Sequence, residues 1–379
     1  MREQFTIGVE EEYQLVDPET GELRSRGGRV RAGDRSGAVE GEVHDTMLEI
    51  GTPICHNAAE IAACLRQRRF QAGAAAAGED LEIMAAGTHP FSGWKEQSLT
   101  DAERPRLLSE RFRQILRQEH IWGMHVHVAI PEEIDRAAVM NVVRGYTPHL
   151  LALSCSSPFH AGEDTGFASF RAVAWRRFPF AGAPPRFESE REYQAFLEML
   201  VEAGTIPDRR TVYWSVRPSS RYPTLELRMC DACPRLGDAV AIAALCRAVV
   251  VAAAEQRLEP IGHSLTPSLQ DVVLNENEWL AARDGLDARL IAPEANGRSG
   301  VVRDTISRIL ETVEPVLESL GDAEAASGIR TILERGNAAE RMRARFGEDS
   351  DLPGLVDWTV QETRAGTGMD RRQQRREAE

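Results

Sequence analysis

The feature that most restricts this chain is parity. Side chains of a β-strand alternate between its two faces, so a half-buried strand sorts apolar from polar residues by odd and even position. Near the N-terminus Ile7, Val9, Tyr13 and Leu15 share one parity, and Glu10, Glu12 and Gln14 the other. Glu11 breaks the pattern and is expected at a sheet edge. Further on, Met124, Val126, Val128 and Ile130 oppose His125 and His127. Val212, Trp214 and Val216 oppose Tyr213, Ser215 and Arg217, while Leu225, Leu227 and Met229 oppose Thr224, Glu226 and Arg228.

Solvent on one face of an antiparallel sheet would also produce alternation. It does not explain a polar face poor in Ser, Thr and Lys and rich in carboxylates, imidazoles and guanidiniums. If the four faces belong to one sheet, Glu10, Glu12, Glu226, His125 and His127 meet on one surface. Carboxylates crowded into a partly dry site need raised pKa values or a compensating cation. Mg²⁺ supplies that charge and prefers oxygen ligands with an occasional imidazole. Arginines such as Arg217 and Arg228 could then hold anionic substrate groups bidentately. A further segment, 39–52, carries Glu42, His44, Asp45 and Glu49, but Glu42 and Glu49 have opposite parity. A β-bulge between them would restore a common face.

Charge argues against nucleic acid as a partner. Lys and Arg total 45 against 59 Asp and Glu, a formal net charge of −14 that repels phosphate backbones and anionic membranes alike. Lys95 is the only lysine, and its surroundings, Ser92-Gly93-Trp94-Lys95-Glu96, match no Schiff-base, phosphate-loop or kinase-type lysine. Phosphate chemistry here would have to run on arginines, histidines and metal ions. Six cysteines in this length are not a disulfide framework, and the Cys230-x-x-Cys233 pair reads as two reduced thiols. The first residues lack an apolar signal core, and the longest apolar stretch, 239–254, contains Arg247 and is short of a bilayer span. A cytoplasmic protein is expected.

Strands are predicted over 4–16, 39–52, 80–88, 121–130, 211–217 and 224–230, and helices over 58–77, 102–119, 132–153 and 189–203. Pro131-Glu132-Glu133 is read as a helix opening. From Leu236 onward helices are predicted over 236–258, 271–284, 302–320, 323–346 and 352–365. The chain thus divides into an α+β region (1–235) carrying the chemistry, a helical region (236–368) packed on the same fold, and a charged, frayed tail (369–379). Segments 24–37 and 178–187, rich in Gly or Pro, read as mobile loops near the site. Strands and helices do not alternate as βαβ units, which favours an α+β sheet backed by helices.

These residues also carry a resemblance. Thr6-Ile7-Gly8-Val9-Glu10-Glu11-Glu12-Tyr13-Gln14-Leu15 resembles the opening of the YbdK-type carboxylate–amine ligases, also called glutamate–cysteine ligase type 2. So do Gly123-Met124-His125-Val126-His127, Ser157-Pro158-Phe159 with Asp164-Thr165-Gly166-Phe167-Ala168-Ser169, and Arg217-Pro218 with Thr224-Leu225-Glu226-Leu227-Arg228. The Gly-Met-His-Val-His run is also similar to the metal-binding strand of glutamine synthetases. The resemblance implies a glutamine synthetase-like curved, largely antiparallel sheet, with helices on its convex side and ATP with two or three Mg²⁺ ions (Mn²⁺ as a substitute) on its concave face. It implies metal ligation by Glu10, Glu12, Glu42, Glu49, His125 and Glu226, with Asp45 the alternative to Glu42. His127 would lie towards the nucleotide phosphates. Arg228, beside the transferring phosphoryl group, and Glu226 would be catalytic, and Arg217 and Arg171 would hold the substrate carboxylate. Phe159-His160-Ala161-Gly162-Glu163 departs from the family pattern and touches the amino-acid pocket.

The implied reaction is amide formation from an amino-acid carboxylate and an amine through an acyl phosphate, glutamate with cysteine being the family's assigned pair, in a homodimer. Two other readings compete: a metal-dependent amidohydrolase barrel using His125-x-His127, and a non-catalytic nucleotide-binding protein on the same scaffold. A phosphagen-kinase-like phosphotransferase is a nearer cousin of the ligase.

Overall fold

The computed structural model describes residues 2–292 and 300–369. Among them the strands are β1 (Ile7–Val16), β2 (Val39–Gly41), β3 (Met47–Gly51), β4 (Glu82–Met84), β5 (Gly123–Ala129), β6 (Phe159–His160), β7 (Glu163–Asp164), β8 (Ala181–Gly182), β9 (Tyr213–Trp214), β10 (Val216–Pro218) and β11 (Thr224–Asp231). Seven of them form one antiparallel sheet in the order β10-β11-β5-β1-β3-β2, with β4 also paired to β1. The short pairs β6–β7 and β8–β9 stand apart from it.

The parity argument holds for β1, β5 and β11, whereas the strand predicted over 211–217 is two, β9 paired with β8 outside this sheet and β10 at its edge. Ile7, Val9, Tyr13, Leu15, Val126, Val128, Leu225 and Leu227 all lie in one buried core. The helices Ala58–Ala77 and Leu236–Ala254 pack on it. At about 25 cal/mol per Å² of buried apolar surface, this layer is the main favourable contribution to folding. Leu236–Ala254 is the one helix among the described residues long and apolar enough to cross a membrane, yet most of it is buried inside the fold. Its Arg247 donates to the Phe5 and His56 carbonyls at 2.7 and 2.8 Å and pairs with Asp322. The stripe Val302, Ile306, Val313, Val316 and Leu317 on helix Val302–Ser319 is likewise buried, against Leu236–Ala254 and Ala323–Arg335.

Several expectations are corrected. Glu11 is not at an edge: β1 lies inside the sheet, and Glu11 (1% exposed) meets Arg69 (fully buried) of helix Ala58–Ala77. Arg69 donates to both Glu11 oxygens, at 3.0 and 2.5 Å, and to the Cys233 and Pro234 carbonyls. A buried charge whose partner is also buried satisfies the apolar face without solvent. The segment 39–52 is not one bulged strand but a hairpin, β2 and β3, joined by residues 42–46. Segment 24–37 contains a short helix, Gly27–Gly33, pinned by Asp45, whose Oδ1 accepts from the Gly28 amide at 2.7 Å.

Three predicted helices are each two. That over 102–119 breaks at Arg113, where φ is +52°; that over 323–346 breaks at Gly336 (φ +89°), after which Asn337 caps the next helix. The helix expected to open at Pro131 begins instead at Arg136, because the Asp135 side chain accepts from the Ala137 and Ala138 amides, and it ends at Val143 before Thr147–Ser154. All six cysteines are free, with Cys230 and Cys233 buried. Of the tail, Met369 is buried against Gly73, and the remainder lies outside the described residues.

Candidate active site

Strand register assembles the polar face. Glu10 stands opposite His125, Glu12 opposite Glu49, and Glu226 opposite both His127 and Arg217. Directly paired residues hold their Cβ atoms about 4.5–5.5 Å apart, so the cluster is a consequence of the pairing itself. These side chains line a cleft of about 360 Å³, which also takes in Glu42, Arg171 and Arg228.

Two groups of possible ligands stand out. Glu10, His127 and Glu226 offer atoms all within 4.8 Å of one another, and so do Glu12, Glu42 and Glu49. His125 stands beside the first group rather than in it, its Nδ1 3.2 Å from Glu10, while His127 Nε2 is 3.4 Å from Glu10 and its Nδ1 is 3.0 Å from the Thr224 hydroxyl. Glu42 comes from the hairpin connection rather than from a bulge, which resolves its parity. Asp45, turned to Gly28, is outside both groups.

The electrostatics of the two groups differ. Burial alone would push the Glu226 carboxyl up, but Arg217 and Arg228 outweigh it and hold it well below the usual range. Glu10 is also low, because hydrogen bonds with His125 and His127 overcome its burial. Burial, with Arg228 nearby, pulls the His125 imidazole down to about 4, so it is neutral at pH 7 and able to ligate. In the other group compensation falls short, since Arg171, Arg228 and the Gly123 amide lower Glu12 without outweighing what raises it. Burial and then the Glu42 charge push Glu12 up to about 7, and the same two causes raise Glu49 well above a normal glutamate. Three carboxylates with no adequate cation are a site that a hard divalent ion fits, and both groups are oxygen-rich with imidazole as the only nitrogen donor.

The arginines are less free than expected. Arg217 donates to both oxygens of Glu226, at 2.9 and 3.1 Å, and to the Arg210 and Val212 carbonyls. Arg171 donates to the Met229 and Arg228 carbonyls, each at 3.2 Å. Arg228 pairs with Glu226 and keeps an unpartnered Nε. Gly123 was legible only as part of a motif, yet its amide donates to Glu12 at 2.5 Å, and a Cβ there would sit 2.2 Å from Arg171 Nη2. Leu116, Glu119, Trp175, Phe178 and Tyr213 also line the cleft. They come from segments with no shared pattern, so only Tyr213, on the polar parity of its strand, and Phe178, at the start of a loop expected near the site, carried a signal.

The hydrolase-barrel alternative fails on this geometry. His125 and His127 belong to an antiparallel sheet, whereas that fold needs eight parallel strands.

Comparison with known proteins extends the description. The family model described as glutamate-cysteine ligase family 2 matches residues 6–374. A protein of Solibacter usitatus named "Putative glutamate--cysteine ligase 2" is 36% identical over 97% of this chain and 95% of its own. A Chloroflexus aggregans protein of the same name is 37% identical over 96% and 93%. Among solved structures, a Francisella tularensis glutamate–cysteine ligase in complex with AMP aligns over 96% of this chain and 89% of its own, with a TM-score of 0.71 at 11% identity. A bifunctional glutathione synthetase from Pasteurella multocida gives 0.66 at 15% identity, over 97% of this chain and 53% of its own. At such identities these two show the fold.

Proposed function

This chain belongs to glutamate–cysteine ligase family 2, and we propose that it joins the carboxylate of glutamate to an amine, cysteine being the family's named partner, at the expense of ATP. The observation that carries this reading is the pair of acidic groups on one sheet face, one balanced by Arg217 and Arg228 and the other unbalanced. A carboxylate is a poor acyl donor because an oxide would have to leave. Attack of its oxygen on the γ-phosphorus of ATP expels ADP and gives an acyl phosphate. The amine nitrogen then attacks the acyl carbon, phosphate leaves with the bonding electrons, and the nitrogen gives its surplus proton to the departing phosphate.

The chain's own groups position and neutralise. Glu226 orients Arg228, whose guanidinium would meet a phosphoryl oxygen. Glu10 and Glu226, with His127 or the neighbouring His125, would hold one divalent ion, and Glu12, Glu42 and Glu49 a second. Bound Mg²⁺ supplies charge neutralisation on the phosphoryl oxygens. Mn²⁺ would serve the same donor set. Arg217 and Arg171, already committed to protein partners, would hold the substrate carboxylate only by sharing those bonds. Six free thiols accord with work in the reducing cytoplasm.

The test is ADP release with Mg²⁺ over paired carboxylic amino acids and amines, with hydroxylamine as a trap for the acyl phosphate. Glutamate-dependent hydroxamate supports the ligase. ATP binding with no carboxylate-dependent turnover would favour the non-catalytic reading, and a stable phosphorylated guanidine a kinase.

A further inference from the structure

One end of the cleft is unlike the rest. Around Glu10, His127, Arg217 and Arg228 it is densely charged and suits a polyphosphate. At the Glu119 end the walls are Leu116, Trp175, Phe178 and Tyr213. The three rings pack edge-on or tilted, with centroids 5.1–5.6 Å apart, within a small apolar cluster of their own. Glu119 is 5% exposed, and its Oε2 accepts from Arg177 at 2.7 Å. Its Oε1 is buried with no partner. A buried acceptor left unmade costs about 1–3 kcal/mol, so it is a place where a bound donor gains most.

Resting on the ligase reading above, we infer that this end is the acceptor site: Glu119 Oε1 receives the primary ammonium of an amine whose apolar body lies against Trp175, Phe178 and Tyr213. An ammonium has no lone pair and must lose a proton before it attacks. Glu119 takes that proton, the freed nitrogen forms the C–N bond to the acyl carbon, and the C–O bond to phosphate breaks with its electron pair leaving on phosphate, which takes the second nitrogen proton so that a neutral amide remains. Burial, opposed by Arg177, pushes the Glu119 carboxyl up to about 7, which suits a group that picks up a proton at neutral pH.

The experiment measures kcat and KM for ATP, glutamate, and three acceptor probes: cysteine, 2-phenylethylamine and hydroxylamine. The last is largely unprotonated at neutral pH and apolar contacts scarcely touch it. For Glu119→Gln, which can still accept from Arg177, kcat/KM for the better of cysteine and 2-phenylethylamine should fall about 10- to 100-fold. The loss for hydroxylamine should be several-fold smaller, and KM for ATP and glutamate should move by less than about threefold. Phe178→Leu should lower kcat/KM for 2-phenylethylamine more than for hydroxylamine, which keeps the inference testable if the first variant folds poorly. An unchanged kcat/KM for the amines, a KM rise confined to ATP or glutamate, or use of neither amine by a wild type that makes hydroxamate would overturn the inference while sparing the ligase. Absence of hydroxamate from the wild type with every carboxylate would overturn both.

Discussion

Glu12 and Glu226 share one face of one sheet yet titrate in opposite directions, and the cause is what stands beside each. Arg217 and Arg228 outweigh burial at Glu226, while at Glu12 burial and the Glu42 carboxylate outweigh Arg171 and Arg228. Glu10→Gln or Glu226→Gln should therefore remove a metal contact and, for Glu226, the partner that aims Arg228. We expect a fall in ADP release on the order of 10²–10³, read from steady-state rates at saturating Mg²⁺ and ATP. Wild-type turnover in either variant would show that these residues are not the ligands. The pH behaviour follows with its sign. Glu12 in the fold sits near 7, above its ordinary 4.5, so its stabilising contribution is complete below the ordinary value and is lost as pH rises through about 7. Metal-free protein should melt at a lower temperature at about pH 8 than at about pH 6, and Mg²⁺ should close the gap by replacing the proton. Proton release on Mg²⁺ binding, measured by calorimetry in buffers of different ionisation enthalpy, checks the same point.

Two elements place the site, and each has a position where a small change should register. Gly123 opens β5, gives its amide to Glu12 and leaves room for Arg171. Gly123→Ala would force the guanidinium aside, costing about 1–3 kcal/mol of stability and lowering activity with it; denaturant melts and rates on the same sample test this. Arg69→Leu in helix Ala58–Ala77 would strand the Glu11 charge between sheet and helix, a loss of about 3–5 kcal/mol in the denaturant midpoint analysis. Element by element, the sequence was readable where periodicity carries information. Parity marked β1, β5 and β11 and sorted Glu10, His125, His127 and Glu226 onto one face before any coordinates. It misread Glu11, because a buried ion pair obeys the apolar parity while looking polar. It misread segment 39–52, because a hairpin whose halves are three and five residues long has too little pattern to reveal its turn.

At the scale of the molecule, the antiparallel sheet backed by helices was legible from the absence of βαβ alternation and from the polar face. The cleft's far wall was not. Glu119, the neighbours Trp175 and Phe178, and Tyr213 come from three separate segments whose meeting depends on how helices and loops close over the sheet, and no local spacing records that. The account as a whole stands on divalent ions held between strands beside a triphosphate. Anomalous diffraction from crystals grown with Mn²⁺ and a non-hydrolysable ATP analogue tests it most directly. It should show one peak among Glu10, His125 or His127, and Glu226, and a second among Glu12, Glu42 and Glu49. A map with the nucleotide bound elsewhere, or with manganese at neither group, would contradict it.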